Sequence, residues 1–207
     1  IWLLLAGDFV RPYHHRQAGE VVVAVDGGIR HAAALGWTPQ WWLGDFDSSG
    51  DFAADVPRIA FPVAKDETDF ELALAFVRTR WPQARCLMVI GADGDEADHV
   101  FGNLWVLPRF ALPTLLFGRA GTRLFASGPA AWRLYGEAGA KVSVFALSPL
   151  AGLCYSGLHW PAEGLALPPF VARAARNALC GDSATIRWQS GAGVVFVPPG
   201  VVAEWIG

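Results

Sequence analysis

The sequence predicts an α/β N-terminal domain over 1–120, with a mostly parallel sheet and helices on both faces, followed by an all-β C-terminal sandwich or barrel over 121–207. Two observations carry this. Short apolar runs alternate with helix-like stretches as far as Gly118, the pattern of a Rossmann-like sheet. Beyond it, short runs rich in Val and Ile are punctuated by Gly and Pro. The 207 residues are 53% hydrophobic, enough for one good core or two smaller ones.

In the first part, strands are expected at 1–6, 21–25, 41–43, 58–61, 86–90 and 114–117, with helices at 28–35, 68–80 and 98–107. The second helix is the best marked. Thr68 can cap it with Glu71 as the reciprocal partner, and Leu72, Ala75, Phe76 and Thr79 follow a helical period. In the second part, strands are expected at 123–126, 131–134, 141–146, 153–155, 165–167, 184–188, 193–197 and 201–205, with 173–177 as a loop.

Charge is unevenly spread. Residues 1–100 hold 15 acidic and 8 basic side chains, and residues 101–207 hold 4 and 8. The first part therefore suits cations, and a nucleotide only if a divalent metal comes with it. This argues against a nucleic-acid partner. No apolar run has the length of a membrane span. Cys86, Cys154 and Cys180 form no CxxC pair, which predicts reduced packing residues and a cytoplasmic protein.

Four segments that follow expected strands carry candidate chemistry. In Gly44-Asp45-Phe46-Asp47-Ser48, two carboxylates two residues apart can project together past a strand end, where their repulsion favours a divalent cation. The same residues also suit a plain turn or helix cap. In Lys65-Asp66-Glu67-Thr68-Asp69, Asp66 and Asp69 lie one turn apart at a helix start that attracts anions, and Lys65 adds a charge for phosphate. An ordinary acidic first turn reads the same way. Gly91 to His99 is a glycine-containing acidic loop whose Asp98 and His99 open a helix bearing Asn103. Asp26-Gly27-Gly28 is a strand-to-helix turn of the kind that accepts a nucleotide. In a parallel sheet all four would fall at one edge.

In this order, the motifs resemble the thiamine pyrophosphokinase family. The matching segments are Asp26–Gly28, Gly44–Ser48, Lys65–Asp69 and the loop from Gly91 through Asp98-His99 to Asn103. Gly157-Leu158-His159-Trp160 and Asn177 extend the likeness into the second part. The resemblance implies transfer of the pyrophosphoryl group of ATP to the hydroxyl of thiamine, giving thiamine diphosphate and AMP. It implies Mg²⁺ on Asp45, Asp47, Asp66 and Asp69, and ATP against Asp26, Gly27, Gly28, Lys65, Thr68 and Asn103. Thiamine would lie against Trp160, Asn177 and Asp98, with Asp98 either its ligand or a general base. It also implies a homodimer with shared active sites.

Two segments depart from the family pattern. Asp95 and Glu96 stand where a Gly-Arg pair is usual, and Arg176 stands beside Asn177 where a Ser is usual. Arg30, Arg119, Arg123 and Arg176 are the candidates to supply the missing charge. Other readings remain: a pyrophosphokinase for another hydroxymethyl heterocycle such as a pterin, a haloacid-dehalogenase-type phosphatase using Asp45 as nucleophile, and a binding protein without turnover.

Overall fold

The computed structural model describes residues 1–46, 55–62 and 65–207. Asp47 and Ser48 lie outside the described residues. The chain divides into two compact units, one of Ile1–Val106 with Leu116–Arg119, the other of Leu107–Leu115 with Ala120–Gly207.

The first unit is built on five parallel strands: β1 (Trp2–Leu4), β2 (Val22–Val25), β3 (Trp41–Gly44), β4 (Arg58–Ala60) and β5 (Leu87–Ile90). They lie side by side in the order β5-β1-β2-β3-β4. Near-complete burial of Trp2, Leu3, Leu4, Val22, Val23, Trp42, Leu43 and Leu87 explains their apolar sequences. The register sets Leu4 opposite Ala24 and Ile90, and Val25 opposite Leu43. The segments after β1, β2, β3 and β5 therefore emerge at one edge.

Helices α1 (Ile29–Leu35), α2 (Asp69–Arg80) and α3 (Ala97–Trp105) belong to the same unit. In α2 the buried residues Phe70, Ala73, Leu74 and Val77 follow the helical period. Its start is fixed by a full capping box: Thr68 Oγ1 accepts from Glu71 N at 3.2 Å, and Glu71 Oε2 accepts from Thr68 N at 3.1 Å. In α3 no residue is buried, and Phe101 and Trp105 stack with ring centroids 5.5 Å apart.

The second unit holds the one-turn helix α4 (Leu107–Phe110) and antiparallel strands. The strand β6 (Thr114–Gly118) is divided between the units. The remaining strands are β7 (Gly121–Ser127), β8 (Ala130–Tyr135), β9 (Lys141–Ala146), β10 (Leu150–Ser156), β11 (Ala162–Leu167), β12 (Asn177–Ala178), β13 (Ser183–Trp188), β14 (Ala192–Val197) and β15 (Val202–Trp205). They pair as β12-β9-β14-β7 and as β11-β10-β13-β8-β15. In β8 and β13 burial alternates, so that Trp132, Leu134, Ile186 and Trp188 enter the core while Arg133 and Arg187 are exposed.

This corrects the expected fold class, a Rossmann-like α/β domain with helices on both faces followed by an all-β sandwich or barrel. The described chain is mostly β, with two sheets of ten and five strands and only three α-helices longer than one turn. The reason lies in the connections. A doubly wound domain needs a helix in each crossover. Residues 5–21, which join parallel β1 and β2, contain none. That stretch includes Gly7, Pro12 and Gly19 and has no apolar period to bury a helix face.

Candidate active site

Each segment at the common edge is shaped by a local constraint. Asp26 opens a single 3-10 turn, Asp26–Gly28, with φ of 44°. Its carbonyl accepts a 2.9 Å hydrogen bond from Trp42 Nε1. A side chain at Gly28 would run into the carbonyl of Leu4, so the turn can lie against β1 only with glycine there. Gly44 ends β3 with φ of 151°, and a Cβ on it would collide with Asp26 Oδ1. Phe46, at φ of 61°, packs edge-on against Trp42 at 5.1 Å, and this anchor fixes the turn that carries Asp45.

These turns bring Asp26, Asp45 and Asp69 together around Lys65. Lys65 Nζ stands 2.6 Å from Asp69 Oδ1 and 4.0 Å from Asp45 Oδ2. Asp26 Oδ1 is buried and, among the described residues, has no hydrogen-bond partner. Burial, the Asp69 charge and hydrogen bond, and the Asp45 charge push the Asp26 carboxyl up to about 7, against the opposing pull of Lys65. For Lys65, partial burial works to lower the pKa, but the Asp69 hydrogen bond and the charges of Asp69, Asp45 and Asp26 outweigh it and raise the ammonium above its ordinary value.

Beside this cluster lies a cleft of about 860 Å³. Its walls come from Leu5–Gly7, Val25-Asp26, Thr68–Phe70, Gly91–Glu96 and the face of α3 that carries Asp98, His99, Gly102 and Asn103. The loops after β1 and β5 are tied to each other: Gly7 N donates to Gly91 O at 3.0 Å and Asp8 N to Asp93 O at 2.7 Å. Asn103 Nδ2 donates to Ala92 O at 2.9 Å, binding α3 to the same loop. Behind them His31 Nε2 lies 2.9 Å from Gly7 O, and burial lowers its pKa.

In the second unit, Trp160 is 59% exposed and Asn177 is buried. Asn177 spends its amide on the backbone, accepting from Trp160 N at 3.0 Å and from Ala178 N at 2.9 Å, and donating to Trp160 O at 2.8 Å. The outer side of the five-stranded array also bears a cavity of about 520 Å³ near Cys154, Glu163 and Arg187, none of which the sequence singled out as a site residue.

Residues 14–115 match a family model described as thiamin pyrophosphokinase, catalytic domain. The chain belongs to the thiamin pyrophosphokinase family. Membership makes it an enzyme, a transferase of thiamine diphosphate formation, and nothing favours the pterin, phosphatase or non-catalytic readings. Solved structures share the fold. Thiamine pyrophosphokinase from Bacillus subtilis is 20% identical with a TM-score of 0.75, the match covering 95% of this chain and 98% of that one. A thiamin pyrophosphokinase family protein from Enterococcus faecalis is 24% identical at TM-score 0.76, over 95% and 97%. Thiamin pyrophosphokinase from Geobacillus thermodenitrificans is 24% identical at 0.76, over 95% and 96%. No curated protein gives a significant match.

Against this family's motifs, Asp26, Asp45, Lys65 and Asp69 are brought together, and Thr68, Asp98 and Asn103 share the adjoining cleft. Asp66 is exposed, with no hydrogen bond or ion pair among the described residues. Glu96, at a departure from the family pattern, lies 3.4 Å from His99 Nδ1 with both side chains exposed. Of the arginines considered as substitutes, Arg30 reaches the Asp-Gly-Gly turn, its Nε donating to Gly27 O at 3.2 Å. Arg119 pairs with Asp8 at 3.2 Å, and Arg123 is buried. Among the described residues no helix is long and apolar enough to cross a membrane.

The donor set fits a hard divalent cation. It consists of carboxylates alone, one carries a buried oxygen without a partner among the described residues, and burial together with the neighbouring carboxylates raises Asp26 to about 7. Among the described residues no three such groups are arranged as a ready-made cage. Mg²⁺ needs only one or two protein carboxylates, with phosphate and water completing its shell.

Proposed function

We propose that the first unit binds Mg²⁺-ATP in the cleft and transfers its pyrophosphoryl group to the hydroxyl of thiamine, giving thiamine diphosphate and AMP. The observation that carries this reading is the convergence of Asp26, Asp45 and Asp69 around Lys65 at the strand edge beside the cleft.

The thiamine oxygen attacks the β-phosphorus, and the bond from that phosphorus to the oxygen bridging the α-phosphorus breaks, so that AMP leaves. Bound Mg²⁺ supplies charge neutralisation on the phosphates, the dominant need of such a transfer. Asp45 and Asp69, with Asp47, would hold it, and the Asp26 carboxyl beside them would add to their negative charge. Lys65 places its point charge on a phosphate oxygen. Gly27 and Gly28 let backbone approach the nucleotide, and Arg30 beside Gly27 takes over the charge that Glu96 cannot provide. Asn103 acts by holding the β5–α3 loop through Ala92 O. Asp98, exposed on the cleft wall, receives the proton of the attacking hydroxyl or pairs with thiamine.

Thiamine is a flat aminopyrimidine joined to a cationic thiazolium and wants an aromatic face. Exposed Trp160 offers one, and Asn177 serves it indirectly by fixing its backbone. The enzyme works as a cytoplasmic homodimer in which the second unit of one chain completes the site of the other. Incubation with Mg²⁺, ATP and thiamine, followed by mass identification of both products, tests the reading. Thiamine diphosphate with stoichiometric AMP is expected. Release of inorganic phosphate without AMP would sink it.

A further inference from the structure

The strongest ion pair of the site joins two groups that the reaction uses separately. Lys65 is assigned to phosphate and Asp69 to the metal, yet Lys65 Nζ sits 2.6 Å from Asp69 Oδ1. The same nitrogen is 4.0 Å from Asp45 Oδ2, and its side chain is only 12% exposed. Lys65 is thus folded into the cluster, with Nζ over the Phe61 ring at 5.7 Å from its centroid.

We propose that Lys65 is a tethered counter-ion that holds the carboxylate cluster closed to free divalent metal and leaves it for the phosphates when the metal arrives with nucleotide. The inference rests on the proposed metal–nucleotide reading of the cleft. Three carboxyl groups so close need a positive charge near them. Among the described residues the Lys65 ammonium supplies such a charge, and a metal ion at Asp69 must displace it from Oδ1. Four rotatable carbons and a compact charge suit Lys to such a move, where a planar guanidinium would be held in fixed geometry. The capping box pins Thr68, so Asp69 stays in place when Lys65 departs. Phosphate oxygens brought with the metal offer Lys65 a new anionic partner. Metal alone offers none, so metal without nucleotide binds weakly and metal–nucleotide binds as a unit.

The test measures Mn²⁺ binding to the full chain without nucleotide, by the electron paramagnetic resonance signal of free Mn²⁺, in wild type, Lys65→Met, Lys65→Gln and Lys65→Arg. Circular dichroism and thermal melting verify that each variant is folded. The expected result is a Kd on the order of tenfold lower in the Met and Gln variants, because the competing charge is gone. Lys65→Arg, which keeps the charge, should stay near wild type. The same Met and Gln variants should show a higher KM for ATP. If Lys65 merely braces Asp69, Mn²⁺ binding in folded Met and Gln variants will be unchanged or weaker, and the proposal is overturned. Tighter Mn²⁺ binding in a protein that yields no AMP would sustain the counter-ion role and reject the proposed reaction. AMP formation with unchanged Mn²⁺ binding would do the reverse.

Discussion

Asn177 holds Trp160 by both backbone groups, accepting its N–H at 3.0 Å and donating to its carbonyl at 2.8 Å. A buried amide used in this way leaves little of itself for a ligand. Asn177→Ala strands the N–H groups of Trp160 and Ala178 and the carbonyl of Trp160. The expected loss is about 1–3 kcal/mol of stability for a buried group left unsatisfied. Urea unfolding measures it. The KM for thiamine should rise in parallel while that for ATP stays within about twofold, because the ring carried by Trp160 loses its fixed backbone.

Trp160→Ala should separate stability from binding. The residue is 59% exposed, and its ring meets His159 edge-on at 4.8 Å. Surface truncations of this kind change stability by about 0.5 kcal/mol or less. The KM for thiamine should rise roughly tenfold, the scale of a lost cation–π contact. A normal thiamine KM in the variant removes Trp160 from the substrate site.

Asp26→Asn should stabilise the metal-free protein while removing activity. The folded-state pKa of about 7 lies above the ordinary 3.8. Between those values the folded chain binds more protons than the unfolded chain, so this group's contribution to stability falls as pH rises through that window. Asparagine removes the dependence. Thermal melts at pH 8 in EDTA should show a Tm higher by a few degrees, about what 1 kcal/mol gives in a chain of this size. Turnover should fall by about 10²-fold or more, the usual scale for losing a preorganised charge at a reacting centre. Unchanged turnover would exclude Asp26 from the site.

His31 gives an acid-side dependence of opposite sign. Burial lowers its pKa below 6.5, outweighing the Gly7 hydrogen bond, with Arg30 lowering it further and Asp8 raising it. The unfolded chain therefore takes up a proton first as pH drops. Stability from this residue is present above about pH 6.5 and is lost as pH falls from there through the folded pKa. Urea midpoints at pH 7, 6 and 5 should decline in wild type, and His31→Gln should flatten that part of the slope. A decline of equal steepness in the variant would assign the effect elsewhere.

The turns of the first unit were legible because their chemistry is local. Thr68 and Glu71 form the capping box their spacing predicts, and Asp26-Gly27-Gly28 makes its turn where only glycine fits against Leu4. Asp45 and Asp69, read from a strand end and a helix start, both lie against Lys65. What local pattern cannot carry was missed. The alternation of apolar runs with helical stretches points to a doubly wound domain, but residues 5–21 form an irregular connection with no helix. The strand Asn177–Ala178 lies at the end of a segment expected to be a loop, because two residues have no period. Asn103 was expected on the nucleotide, yet its amide binds Ala92 O, a partner eleven residues away that no spacing rule names. Lys65 was expected to wait for phosphate and is found on Asp69, since nothing in the order of residues says which anion a flexible cation takes first.

The division of the chain inside β6 has a consequence for synthesis and for cutting the gene. Residues Leu116–Arg119 belong to the first unit although Leu107–Leu115 before them belong to the second. Among them Phe117 is 2% exposed, stacks on Trp2 at 6.0 Å and meets Tyr13 edge-on at 5.2 Å. A nascent chain stopped at Val106 lacks that wall of its core, and the first unit is whole only after Arg119 has left the ribosome. A fragment ended at Arg119 has the wall but also carries Leu107 and Leu112, which are buried in the intact chain and belong to the unit that is missing. Neither cut yields a clean catalytic fragment. A separable one needs residues 107–115 replaced by a short polar bridge from Val106 to Leu116.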